Sequence, residues 1–123
     1  MNDVIAAAAR TSADQLADRY GPRLAGDVEA AIHATDDRPQ QYLDPVSLGS
    51  LIVAVAALAW TVYRDLKKKT PQPAPQVVVR SVHLHLTAPT AVPAEDRDLI
   101  IETVVIQTLA AAEQAQALPA AEE

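Results

Sequence analysis

Hydrophobic positions recur every three or four residues along most of the chain, which predicts a mainly α protein. Residues 1–36 read as an N-terminal helical hairpin. After a cap at Asn2 or Asp3, Val4, Ile5, Ala8, Ala9, Ser12, Leu16 and Tyr20 share one face, Gly21-Pro22 breaks the pattern, and Leu24, Val28 and Ile32 follow at intervals of four. A polar connector occupies 37–44 and ends in Asp44-Pro45, a cap followed by a proline suited to a first helical turn. Residues 45–69 then form one apolar helix with a basic end. The stretch 70–76, with prolines at 71, 73 and 75, reads as an extended, semi-rigid Pro-rich spacer.

Residues 77–116 read as a strand-helix module. Val82, Leu84 and Leu86 alternate with His83 and His85, as in a short half-buried strand, although Pro75 could equally open a helical turn over 75–81. After a loop, Pro93 with Glu95, Asp96 and Asp98 marks the start of a C-terminal amphipathic helix, because carboxylates favour the positive end of a helix dipole. Its apolar face comprises Ile101, Val104, Val105, Thr108, Leu109 and Ala112, of which Ile101, Val104, Val105 and Leu109 are the candidate partner-contact face. The tail 117–123 is expected to fray.

The 45–69 helix admits two readings. No charge falls from Pro45 to Tyr63, a run of 19 residues. At 1.5 Å per residue that is about 28 Å, close to the hydrocarbon thickness of a bilayer. Leu48, Leu51, Ile52, Val53, Val55, Leu58 and Val62 together favour insertion by roughly 2–4 kcal/mol, a marginal value. Trp60 and Tyr63 adjoin Arg64, Lys67, Lys68 and Lys69 as interface anchors would, and the other flank is acidic. The positive-inside rule then places the C-terminal part in the cytoplasm, with the single-pass helix in the membrane. The alternative is a cytoplasmic helical oligomer in which Leu48, Leu51, Ile52, Val55, Leu58 and Val62 form the core. Ser50, Ala54, Ala57 and Thr61 make a stripe of small residues for close helix packing in either solvent, so self-association is expected in both cases.

Composition narrows the function more than it names one. There is no Phe, one Trp, and much of the hydrophobic content is alanine, so a monomer would have a thin core. A net charge of −6 disfavours nucleic acid. Without Cys there is no disulfide or thiolate metal site. Three glycines leave no phosphate-cradling loop, and Asp3 with a short apolar stretch makes a poor cleavable leader. His83 and His85 lack further ligands for a metal, and Glu95, Asp96 and Asp98 are explained by the helix dipole. No cofactor, small-molecule substrate or enzymatic activity is expected.

The segment DPVSLGSLIVAVAALAWTVYRDLKKKTPQPAPQVVVRSV, residues 44–82, resembles a group of small uncharacterised bacterial proteins that share an Asp-Pro start, one apolar helix, a basic stop and a TPxPxP spacer. The similarity extends weakly to DLIIETVVIQTL. Such proteins look like accessory components of NTP-dependent conflict and signalling systems. The resemblance implies an accessory or adaptor role; the apolar helix and its flanks make the expected location the bacterial inner membrane, or alternatively the cytoplasm, with a protein partner to be localised there. The resemblance brings no catalytic residue. A membrane-perturbing effector is a lesser expectation, because Ser50 and Thr61 make a weak polar stripe for a pore.

Overall fold

The computed structural model describes residues 3–37, 48–86 and 93–117. They form five helices: α1 Asp3–Tyr20, α2 Arg23–Asp37, α3 Leu48–Lys67, α4 Pro75–His85 and α5 Ala94–Ala117. The Asp44-Pro45 start and the tail from 118 lie outside the described residues.

Each boundary has a local cause. Gly21 ends α1 at φ +98°, a conformation that side-chain-bearing residues rarely adopt, and its N–H donates to the Ala17 carbonyl at 2.7 Å. The carbonyl of Leu66 closes α3 by accepting from the N–H groups of Lys69 and Thr70. Ala74, in extended backbone, precedes Pro75 at the first position of α4. Glu95 and Asp96 occupy the first turn of α5.

Side-chain contacts give the directions. The Arg10 guanidinium donates two bonds to Glu29, at 2.6 and 3.1 Å, which pins α1 and α2 as an antiparallel hairpin. At the end of α1, the Tyr20 hydroxyl donates to Asp96 Oδ1 at 2.8 Å and Arg19 donates to the same oxygen at 3.2 Å, joining α1 to the start of α5. His83, near the end of α4, approaches Asp98 at 3.7 Å. Gly49 at the start of α3 meets Asp27 near the start of α2, while Tyr63 and Lys67 share a cavity with Leu109 and Glu113 of α5. Thus α2, α3 and α5 run one way and α1 and α4 run the other.

Helix α3 packs against all four other helices. Leu51 to Ala56 are buried at six consecutive positions, more than the single stripe that an amphipathic helix hides. The core around it comprises Val4, Ala9 and Leu16 from α1, Leu24, Val28 and Ile32 from α2, Val78 and Val82 from α4, and Ile100, Ile101, Val104 and Val105 from α5. By length and composition α3 is apolar enough to cross a membrane, and half of its most apolar window is buried inside the protein.

Several expectations change. Residues 77–85 are helix, and no strand occurs among the described residues. A lone strand would leave backbone donors and acceptors unpaired, whereas the helix satisfies its own. Val78 and Val82, four apart, are buried on the inner face, and Leu84 points outward. The spacer does not hold a separate module apart: Pro73 is buried, and α4 folds back onto α3 and α5. The face of Ile101, Val104, Val105 and Leu109, expected to meet a partner, lies in the core cluster and is covered by the chain's own helices.

Gly49 shows how tightly α2 and α3 meet. A Cβ there would stand 2.6 Å from the backbone carbon and oxygen of Asp27, whereas one at Gly26 meets nothing within 4 Å. Gly26→Ala should stabilise the protein by about 0.5–1 kcal/mol through helix propensity. Gly49→Ala should destabilise it by about 1–2 kcal/mol despite the same propensity gain, because backbone must move. Urea unfolding of both variants measures the contrast.

The Asp96 carboxyl is held below the ordinary carboxylate range, first by the Tyr20 hydroxyl bond and then by Arg19. A depressed folded pKa means that its stabilisation is present above the unfolded value, about pH 4, and is lost as pH falls through the folded value. Asp96→Asn should therefore lower the urea midpoint at pH 7, and the difference from wild type should shrink towards pH 3. A difference independent of pH would exclude the ionic contribution.

Candidate functional site

Among the described residues, two surfaces stand out once the core is assigned. The first is the C-terminal end of α3. Spacings of three and four place Trp60, Tyr63, Arg64, Lys67 and Lys68 around one side of the helix. Trp60 and Tyr63 stack at 6.0 Å between centroids with 22° between planes. The Arg64 guanidinium lies 5.8 Å from the Trp60 ring centre, and the Lys67 ammonium lies 5.4 Å from that of Tyr63 and donates to its hydroxyl at 3.2 Å. These side chains line an open concavity of about 320 Å³. Tyr63 is buried, Trp60 is half-buried, and Arg64, Lys68 and Lys69 are exposed.

A smaller cavity of about 140 Å³ lies beside it, bounded by Tyr63 and Lys67, the turn Pro71 to Pro73, and Leu109 and Glu113. The proline-rich turn therefore walls the basic end of α3 against the end of α5.

The second surface is the outer face of the α4–α5 hairpin. Pro75, Gln76 and Val79 of α4 and Glu102 and Ile106 of α5 line a groove of about 340 Å³. Ile106 in this groove is 47% exposed, and Leu99, seven residues earlier on α5, falls on the same side; Val77 at 46% and Leu84 at 71% are exposed on the far side of α4, away from Gln76 and Val79. Sequence reading missed these residues. The available signal was that Leu99 and Ile106, seven apart, fall off the buried stripe of α5, as Val77 and Leu84 fall off that of α4.

The sequence-predicted positions divide between core and surface. Leu51, Ile52 and Val55 are fully buried, and Leu48, Leu58 and Val62 are partly buried against the core. The small-residue stripe is split: Ala54 is buried, Ser50 and Ala57 are half-buried, and Thr61 is exposed with its hydroxyl donating to the Ala57 carbonyl. The close helix approach is made by Gly49 instead. His83 and His85 no longer share a face, since adjacent-but-one residues diverge on a helix, and His85 Nδ1 lies 2.7 Å from the Ser81 carbonyl. Among the described residues no group of three or more His, Asp or Glu is placed to hold a metal ion. Compared with protein-family models, curated proteins and solved structures, the chain matches none.

Proposed function

We propose that the protein is a non-enzymatic, self-associating helical adaptor, with α3 as its core helix and the outer α4–α5 face as the contact between copies. The observation that carries this reading is that the large exposed apolar side chains among the described residues, Val77, Leu84, Leu99 and Ile106, all lie on α4 and α5. Arg80 lies between Val77 and Leu84 on α4, and Glu102 lines the groove beside Ile106, so this surface carries charges of both signs. Two copies can therefore face one another across it without like-charge repulsion, as a twofold contact requires. The assembled copies would present the remaining surfaces to the partner that an accessory protein serves.

A single-pass anchor is the second reading, favoured by the length and composition of α3. Magnitudes weigh against it. Fully burying Leu51, Ile52, Val53 and Val55 in protein stabilises by roughly 1.5–3 kcal/mol each, about 6–12 kcal/mol together. Insertion of the whole run offers only about 2–4 kcal/mol. Insertion would also strip α3 from its four neighbours and expose Val28, Ile32, Val82 and Val104 to water. The core reading supports a protein in solution, with the cytoplasm as the proposed compartment.

Sedimentation velocity on purified protein should show self-association at micromolar concentration. The double variant Leu84→Glu/Ile106→Glu should be monomeric with unchanged helical circular dichroism and a Tm within a few degrees of wild type. A wild type that stays monomeric at 100-fold higher concentration would sink the proposed interface. For location, carbonate-washed membranes should release the protein without detergent, and retention in the washed pellet would instead support the anchor.

A further inference from the structure

We propose that the basic, aromatic end of α3 is a peripheral docking site for an anionic lipid surface. Four of the chain's ten Lys and Arg residues lie at positions 64–69, in a protein of net charge −6. Of the cations elsewhere, Arg10 pairs with Glu29, Arg19 with Asp96, and Arg97 lies 3.9 Å from Asp98. Arg64, Lys68 and Lys69 form no ion pair with a carboxylate of the described residues and are exposed. Their charge is therefore available for an external anion.

Two carboxylates stand near. Asp65 follows Arg64 on the helix and so faces away from Trp60, and Glu113 borders the separate cavity that Lys67 closes. Neither enters the concavity of Trp60, Tyr63, Arg64, Lys67 and Lys68.

The half-buried Trp60 beside the cations selects lipid among anionic partners. Trp60 stacks on the buried Tyr63 and has the Arg64 guanidinium 5.8 Å from its ring centre, while Lys68 and Lys69 follow further along the helix end. Such rings settle at the headgroup level of a bilayer, while lysine and arginine stems extend along apolar surface with their charges among phosphates. Docking there leaves α3 inside its own bundle. The concavity there shares no lining residue with the α4–α5 groove.

Each cation brought to an anionic surface contributes about fivefold to partitioning. Removing Arg64, Lys68 and Lys69 together should thus weaken it by about 100-fold.

The test is co-sedimentation of the full chain with vesicles of phosphatidylcholine alone or with 30% phosphatidylglycerol. Wild type should pellet with the anionic vesicles only, shift its Trp60 emission to the blue, and be released by 0.5 M NaCl. Arg64→Gln/Lys68→Gln/Lys69→Gln should lose about 100-fold in partitioning at unchanged Tm. Equal pelleting with neutral vesicles, no pelleting by folded wild type, or full retention by the triple variant would each overturn the proposal. So would capture by polyglutamate without vesicle binding, which would assign the site to an acidic polypeptide, or salt-resistant binding, which would point to insertion.

Discussion

The structure depends on the enclosure of α3 by four other helices. An α-helix that is apolar on every side is stable only where nothing wet touches it, and a bilayer or a surrounding bundle can both provide that. Here α1, α2, α4 and α5 supply the bundle, and Leu51 to Ala56 lie at its centre. Alanine-rich helices bury little area each, but alanines and Gly49 let backbones approach closely, so a thin set of side chains still fills the interior. One such approach is between Gly49 and the Asp27 backbone.

Polar contacts hold the packing in register at the periphery. Asp96 accepts from both Tyr20 and Arg19 and ties the first hairpin to the last helix, and Arg10 with Glu29 fixes the first hairpin internally. These groups are largely solvated, so they orient more than they stabilise. The core ends on α3 at Tyr63, with Trp60 stacked on it and half-buried, and the apolar run gives way there to exposed cations. Core helix and surface patch are thus one continuous element, and its two halves meet different environments.

Most helices were legible in the chain because their causes are local. Gly21-Pro22, the prolines before α4 and the carboxylates opening α5 each act within a turn, and the observed ends follow them. The buried stripes of α1, α2 and α5 were likewise written in spacings of three and four. What stayed hidden was tertiary. Alternation over Val82, Leu84 and Leu86 looked like a strand, yet no neighbouring strand exists among the described residues to pair with one, and the segment settled as helix. The face of Ile101, Val104, Val105 and Leu109 looked available for a partner, because a sequence cannot say that α1, α3 and α4 return to cover it. The apolar run of α3 and its basic stop read alike for lipid and for protein, since hydrophobicity does not record which apolar neighbour is met. On the surface, Trp60, Tyr63 and the lysines were legible as a group, whereas Val77, Leu84 and Ile106 became notable only once the core had been filled by others.

Native-state amide hydrogen exchange in detergent-free buffer tests the enclosure of α3 most directly. Enclosure predicts that the amides of Leu51 to Ala56 are the slowest in the protein. They should exchange only through global unfolding, with the denaturant dependence of the whole molecule, while those near the α3 terminus and the proline turn exchange faster. Rapid exchange along 51–56 in a folded, soluble sample, or protection that appears only when lipid or detergent is added, would contradict it.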